Sequence, residues 1–465
     1  GDWSSDVCSS ILIGGGKIMS ETFRFIHASD LHLGSILNVN GKTQEDLQEL
    51  CKDAVYDGWE RICLRAISLK VDFILICGDV YDSHLRSVRG NKIFIDQCAR
   101  LGEKNINVYV IYGNHDVMNG AEELFSLPLN LHIISSEKEE IFEVYKHNKV
   151  IAKIIGRSYK HRSEKERIYE NYLLDNDVFN IAMLHTALDG ENKNYIPCTL
   201  KDLKSVPNID YWALGHIHKQ SIVNDIKPII AFSGIPQGRD MGEQGACGVY
   251  YVEVSKKEVV RMEFLPIATV EYKMVEIIIG DDKKIQNYSD LILSINDVVS
   301  NLSYELPEIP IGIKSSNENL LADFKGYIIR LVIRGRTDMH NIITHMTEDD
   351  YKQLLENINK EISSQNYFVW VDSIIFRTLM LKNFEELKLQ NPIFNDLEEV
   401  IGLYTSNSEL KEELVKNLGS IWKKQIFTEN REDDKFDFDE DTISDIIAQA
   451  RELLIEKLTE ILEIT

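Results

Sequence analysis

Five short apolar runs in this chain each stop at an Asp, Asn or His, and that repetition restricts the fold more than any other feature. Phe23 to Ala28 leads into Ser29-Asp30-Leu31-His32. Phe73-Ile-Leu-Ile-Cys77 leads into Gly78-Asp79-Val80-Tyr81-Asp82. Val108-Tyr-Val-Ile-Tyr112 leads into Gly113-Asn114-His115-Asp116, Phe179 to Leu184 into His185, and Tyr211-Trp-Ala-Leu214 into Gly215-His216-Ile217-His218. A short continuous apolar run between turn residues is the pattern of a strand buried on both faces. In an open α/β sheet, ligands gather just beyond the carboxyl ends of such strands. The five tips therefore define one candidate site.

Between and after these runs the period changes. Gln44 to Lys70 carries Leu47, Leu50, Val55, Trp59, Ile62 and Ile67 at near-helical spacing, and Arg86 to Gly102 reads as a second helix, ended by its glycine. Leu131 to Ile134, Glu140 to Tyr145 and Val150 to Ile155 read as strands, and Glu164 to Leu174 reads as a helix. Ile222 to Phe232, Gly248 to Val254 and Val259 to Leu265 read as antiparallel strands closing a sheet. The expected fold class is α/β, a two-sheet sandwich flanked by helices.

At 465 residues the chain is long enough for two or three domains. Residues 1–19 show no pattern and read as a non-native or disordered extension, with Met19 as the natural start. The sandwich occupies 20–268. Residues 269–378 read as a small α+β domain that caps the site, with strands Val270 to Ile279, Tyr327 to Arg334 and Tyr367 to Phe376 around helices Lys284 to Leu302 and Thr347 to Ile362. Residues 379–465 read as helices at about 394–404, 408–424 and 441–463, with an acidic linker over 429–441.

The net charge of −24 is unevenly spread: about −1 over residues 1–20, about −6 over 21–270 and about −17 over 271–465. The motif-bearing part is thus only mildly acidic, and bound cations would offset its site carboxylates. The seven cysteines form no Cys-x-x-Cys pair and read as free thiols in a reducing compartment, the cytoplasm. No apolar run reaches the length of a membrane span.

The strand tips supply Asp30, His32, Asp79, Asn114, His185, His216 and His218. Two divalent ions a few ångströms apart need about seven or eight ligands, with one carboxylate shared. Mixed carboxylate, imidazole and amide oxygen suits manganese, iron or zinc better than magnesium or calcium. Asp79 is central in sequence and is the natural bridge. Such a pair makes hydroxide from water near neutral pH and holds an in-line phosphoryl transition state. Each motif alone has an ordinary alternative: a chance Asp-x-His, a capping histidine, an Asn-rich turn. Five of them in one order, each after an apolar strand, favour the metal reading.

Asp30-x-His32, Gly78-Asp79-x-x-Asp82, Gly113-Asn114-His115-Asp116, His185 and Gly215-His216-x-His218 resemble the motif set of the calcineurin-like metallophosphoesterases. His27-Ala-Ser-Asp-Leu-His-Leu-Gly34 is similar to the SbcD-type DNA repair exonucleases. Phe232-Ser-Gly-Ile-Pro-Gln-Gly-Arg239, with Glu243 and Gly245, looks like their YhaO-like bacterial branch. The resemblance covers residues 22–265 closely and the remainder only in layout. It implies Asp30, His32, Asp79 and His218 on one ion, and Asp79, Asn114, His185 and His216 on the other. It implies that His115 acts on the scissile phosphate and its leaving oxygen, with Asp82 orienting it as in phosphatases of the superfamily. Some nucleases of the group carry a histidine in place of Asp82. The resemblance further implies two Mn²⁺ ions, DNA as substrate, 3′–5′ exonuclease or endonuclease activity, a homodimer and an SbcC-type coiled-coil ATPase as partner. A phosphatase or small-molecule phosphodiesterase of the same chemistry, and a non-catalytic scaffold with a vestigial site, are the rival functions.

Other residues are expected to be less direct. His27 reads as a strand histidine behind the site and His84 as a surface residue. Arg86, Arg89 and Arg239 are candidate phosphate contacts, with solvated surface arginines the equal alternative for the first two. Tyr367, Phe368 and Trp370 read as strand core.

Overall fold

The computed structural model describes residues 22–41, 45–82, 87–117, 125–188, 194–279, 285, 287–308, 323–337, 339–361, 367–380, 387–389, 391–414, 416 and 440–463. The expectations for residues 1–19, for His84 and Arg86, for Cys8 and for nearly all of the acidic run fall outside these residues.

Strands β1 (Phe23–Ala28), β2 (Phe73–Cys77), β3 (Asn107–Ile111) and β4 (Leu131–Ile133) lie side by side and parallel. β11 (Gly248–Ser255) joins β1 antiparallel, and β12 (Glu258–Pro266) joins β11 antiparallel, giving a six-stranded sheet. A second six-stranded sheet has β6 (Lys149–Gly156), β7 (Phe179–His185), β8 (Tyr211–Gly215) and β10 (Ile229–Phe232) parallel. Its edges are β5 (Glu140–Lys146) and β9 (Ser221–Asn224), both antiparallel to their neighbours. This is the two-sheet α/β sandwich expected.

Alternation along each strand assigns its two faces. Phe23, Phe25, Phe73, Leu75, Tyr109 and Ile111 of the first sheet meet Ile154, Phe179, Ile181, Met183, Tyr211 and Ala213 of the second in one buried cluster. Phe25 and Phe73 stack with ring centroids 5.2 Å apart. Each fully buried side chain of this size contributes about 1.5–3 kcal/mol. The opposite residues Ile26, Ile74, Ile76, Val108 and Val110 face helices α1 (Glu45–Leu69) and α2 (Val88–Gly102) through Trp59, Ile62, Phe94 and Leu101. On the outer side of the second sheet, Ala182, Leu184, Trp212 and Leu214 pack with Tyr159, Tyr169, Tyr172 and Leu203. Helix α2 begins where Ser87 Oγ accepts from Gly90 N at 3.0 Å.

Two expectations are corrected. Residues 164–174 do not form a helix; only a 3-10 turn, Ile168–Asn171, is present. Glu164 instead exchanges backbone hydrogen bonds with the 194–196 segment, through Glu164 N to Asn194 O and Ile196 N to Glu164 O. Residues 222–232 are not one antiparallel strand. They divide into β9 and β10, and β10 pairs parallel with β8. A short helix α3 (Leu200–Ser205), started by a Thr199–Asp202 capping box, was not expected.

The described residues fall into two compact units, those within Gly1–Val275, Asp297–Leu331 and Lys352–Ser373, and those within Glu276–Asn296, Val332–Tyr351 and Ile374–Thr465. Strands β13 (Val270–Ile279), β14 (Gly326–Thr337) and β15 (Phe368–Met380) make a three-stranded sheet in that order; along the chain α4 (Tyr288–Leu302) follows β13, and α5 (His340–Thr344) and α6 (Glu348–Glu361) follow β14. Phe368 and Trp370 pack as partly buried residues against the main core, in keeping with strand core. In the second unit, α7 (Ile393–Ser406) and α8 (Glu440–Glu463) join through Leu387, Phe394 and Ile455 and an Arg451–Glu398 ion pair. The six described cysteines are free and buried. Among the described residues no helix is long and apolar enough to cross a membrane.

Candidate metal centre

The parallel strands of both sheets deliver their carboxyl ends to one place, and glycines let those ends approach. A β-carbon on Gly78 would lie 2.2 Å from His185 Nδ1, and one on Gly113 would lie 2.2 Å from Asp79 Oδ1. One on Gly215 would lie 1.8 Å from the Cys77 carbonyl oxygen. Asp30, His32, Asp79 and His216 have left-handed backbone, with φ of 52°, 46°, 51° and 97°. Non-glycine residues in such conformations cost about 1–3 kcal/mol each, and they persist where surrounding structure fixes them. Here Asp30 N is held by Gly78 O and His32 N by Asp79 O, both at 2.9 Å. The first motif therefore folds directly onto the second.

Three groups of side chains each bring their donor atoms within 4.8 Å of one another: Asp30, His32 and His218; Asp30, Asp79 and His185; and His32, Asp82 and His115. His32 Nε2 and His218 Nε2 stand 3.2 Å apart, and His218 Nε2 is 3.9 Å from Asp30 Oδ1. His185 Nε2 is 3.4 Å from Asp79 Oδ2 and 3.0 Å from Asn114 Oδ1. His216 Nδ1 is 3.2 Å from the same Asn114 oxygen. Asp30 and His32 are the residues common to two groups, whereas Asp79 belongs to one.

Charges in the cluster are strongly shifted. Burial works against a charged His185, yet the adjoining Asp79 carboxylate outweighs it and raises the imidazole to about 9. Burial and the neighbouring His185 hold His216 down to about 3. Burial, then Arg239, keep His32 well below the usual histidine range. Burial raises Asp30, while Asp79 is lowered because His185, against burial, favours its charge.

His115 stands at the rim, with 42% of its side chain exposed, and its Nδ1 is 3.7 Å from Asp82 Oδ1. That is an ion-pair distance, too long for a hydrogen bond. His115 N donates to Asp79 Oδ1 at 2.9 Å, so the backbone of the third motif also grips the second. His27 lies behind the site: its Nε2 donates to Leu214 O at 3.1 Å and its Nδ1 faces Tyr211 Oη at 3.0 Å. Burial holds it at about 3, so it is a neutral structural bridge between the sheets. Arg89 is engaged locally, with Asp53 at 2.7 Å and its guanidinium over Tyr56.

The sequence motifs gave no role to Asp116 and Tyr159. Asp116 Oδ2 accepts from Val80 N at 2.5 Å and Oδ1 from Gly113 N at 2.7 Å, which ties the second and third strand ends together. Burial and the charge of Asp79 push it up to about 7. Its place in Gly113-Asn114-His115-Asp116 was the available signal. Tyr159 Oη donates to His185 O at 2.8 Å, and nothing in the local sequence marks it.

The donor set fits a pair of divalent cations. Carboxylate, amide and imidazole atoms converge with two imidazole nitrogens face to face, an arrangement a shared cation satisfies better than a shared proton. Among the described residues His32 Nδ1 is buried without a hydrogen-bond partner. The sequence pattern of the calcineurin-like phosphoesterases, a family that uses a divalent metal pair, matches residues 23–220. The uncharacterized metallophosphoesterase YhaO of Bacillus subtilis is 30% identical over 81% of this chain and 86% of its own length. The DNA double-strand break repair protein Mre11 of Methanocaldococcus jannaschii is 26% identical over 56% of this chain and 70% of its own. Its counterpart from Methanococcus maripaludis is 24% identical over 67% and 83%. With the motifs, the sandwich and these relatives agreeing, the chain belongs to the calcineurin-like phosphoesterase family.

Proposed function

We propose that this protein is a metal-dependent DNA nuclease of the SbcD type that hydrolyses backbone phosphodiester bonds with two Mn²⁺ ions. The observation that carries the reading is the convergence of five strand ends on one cluster of carboxylate, amide and imidazole donors. Relatives named as DNA double-strand break repair proteins support DNA as the substrate. In this reading Asp30, His32, Asp79 and His218 hold one cation, and Asp79, Asn114, His185 and His216 hold the other. Bound there, a divalent pair neutralises phosphoryl charge and lowers the pKa of water enough to supply a nucleophile near neutral pH.

The chain's own side chains do the rest. His185 is aimed by its Nδ1 bond to the Cys77 carbonyl oxygen, which turns Nε2 to Asn114 Oδ1 at 3.0 Å, so both side chains already face the place a cation would take once that Nε2 gives up its hydrogen. His115, exposed at the rim, meets the phosphate and protonates the departing sugar oxygen. With Nδ1 turned to Asp82, the proton it gives is the one on Nε2. DNA as substrate, a homodimer, a cytoplasmic setting and a coiled-coil ATPase docked on the C-terminal helices complete the proposal.

Asp82 also supports a second reading, a phosphatase, because the resemblance matches an aspartate at this place to phosphatases of the superfamily. Purified protein with Mn²⁺ is assayed on labelled single- and double-stranded DNA and on p-nitrophenyl phosphate and bis-p-nitrophenyl phosphate. Cleavage of DNA and the diester is expected. Turnover of the monoester alone would replace the nuclease by the phosphatase.

A further inference from the structure

His218 sits on the turn between β8 and β9, outside any strand, and 29% of its side chain is exposed. The other candidate imidazoles are better enclosed or are held by groups within the cluster. What fixes His218 lies on a separate loop, between β10 and β11. Ile235 N donates to His218 O at 2.9 Å, and Gly234 is packed so closely that a β-carbon on it would lie 2.8 Å from that oxygen. Further along the same loop, Glu243 Oε1 lies 2.7 Å from His218 Nδ1. The loop thus takes hold of both the backbone and the ring of this residue.

Glu243 is in turn immobilised. Its Oε2 accepts from Arg239 N at 2.7 Å, and its Oε1 accepts from Arg239 Nη2 at 2.7 Å. Arg239 O receives Asn38 N at 2.7 Å and Tyr272 Oη at 3.0 Å. Gly238 lets the loop fold back: a β-carbon there would lie 2.7 Å from Glu243 O. A carboxylate engaged by a fork of guanidinium donors and a backbone N–H keeps its geometry as well as its charge. Because a carboxylate can only accept, the hydrogen between it and His218 resides on Nδ1. The Nε2 lone pair of the neutral ring is then directed at His32 Nε2 and Asp30 Oδ1, 3.2 and 3.9 Å away.

We infer that Glu243, clamped by Arg239, is the positioning residue for His218, fixing the hydrogen on Nδ1 so that Nε2 is presented to a cation. The inference rests on the reading of His218 as a metal ligand. Arg239 on this account serves the site through Glu243, and its engagement explains an arginine placed among so many imidazoles. Removing a carboxylate that orients a ligating histidine weakens metal binding by about 10–100-fold.

The test uses the full chain, stripped of metal and titrated calorimetrically with Mn²⁺. Glu243→Gln keeps the side-chain volume and is expected to weaken one of the two binding events by about 10–100-fold while leaving the other unchanged. His218→Ala should weaken that same event. A second readout needs no variant at position 243. Long-range ¹H–¹⁵N correlation of the metal-free wild type at alkaline pH, with His218 assigned by its absence in His218→Ala, should show the hydrogen on Nδ1. A hydrogen on Nε2 overturns the inference. So does unchanged Mn²⁺ affinity in Glu243→Gln when His218→Ala is weakened. If His218→Ala binds both ions as the wild type does, the metal reading of His218 has failed instead, and the two failures are told apart.

Discussion

His185 donates through Nδ1 to the carbonyl oxygen of Cys77 at 2.9 Å, and this bond joins the end of β7 in one sheet to the end of β2 in the other. A carbonyl can only accept, so Nδ1 carries the hydrogen. Nε2 is thereby turned toward Asp79 Oδ2 and Asn114 Oδ1. Cys77 immediately precedes Gly78-Asp79, so one hydrogen bond both locks the sheets together and orients a side chain of the site.

Asp79 touches His185 through one oxygen and receives His115 N through the other. Asp79→Ala should therefore remove bound Mn²⁺ and activity together, since a shared carboxylate serves both ions. Metal analysis and a turnover assay on the same preparation check this. A variant that retained two ions and normal turnover would refute the bridging role.

His115 is at the rim and its backbone, not its ring, contacts Asp79. His115→Asn should keep its metal and lose about 10²- to 10⁴-fold in turnover, the usual worth of a general acid. Asp82→Asn should lose less, because 3.7 Å is a loose contact. Loss of metal from the His115 variant would make that residue a ligand.

Gly215 has no room for a side chain. Gly215→Ala places a β-carbon 1.8 Å from a backbone oxygen, which cannot yield as a side chain can. A loss of about 1–3 kcal/mol or more is expected, read as a lowered thermal midpoint. Gly402→Ala, on α7, where an added β-carbon meets nothing within 4 Å among the described residues, should instead hold or raise the midpoint.

Glu271 on β13 is 4% exposed, and among the described residues its Oε2 has no hydrogen-bond partner. Burial raises it to about 7, against the pull of Lys273 and with some help from Glu308. A carboxyl whose folded pKa lies above its unfolded value is tolerated when neutral. Its contribution to stability is complete below the ordinary glutamate range and is lost as pH rises through about 7. Glu271→Gln should thus be more stable than wild type at pH 8, by roughly 1–3 kcal/mol, and similar to it at pH 4. Denaturation midpoints at the two pH values decide the matter, and equal differences at both would discount the residue.

Helices α7 and α8 cover Phe394 and Ile455 with each other but leave Leu403, Leu453 and Ile461 exposed. A chain ending near Met380 should hydrolyse a small phosphodiester normally. It should lose co-purification with a coiled-coil ATPase and ATP-stimulated degradation of duplex DNA. Unchanged partner affinity would remove these helices from the interface, whereas loss of diester hydrolysis would make them part of the catalytic fold.

The five strand ends were legible in the sequence because their signal is local. A strand buried on both faces must be apolar at every position, as Phe73 to Cys77 is, and it must stop where polar residues begin. Residues 164–174 carry a helix-like pattern, but their backbone partners, at 194–196, leave no mark on their own composition. The division of 222–232 into β9 and β10 was hidden in the same way, since β10 takes its direction from β8. Within the site, the sequence determined which side chains stand at strand tips. Tertiary structure alone decided their company: that Glu243, 25 residues on, holds His218, that Asp116 receives Val80 N, and that His185 hydrogen-bonds Cys77 across the sandwich. Each of these is a contact between segments whose separation along the chain says nothing of their distance in space. The chain's own order encodes the donors, but only the packing of two sheets sets which lone pair faces which.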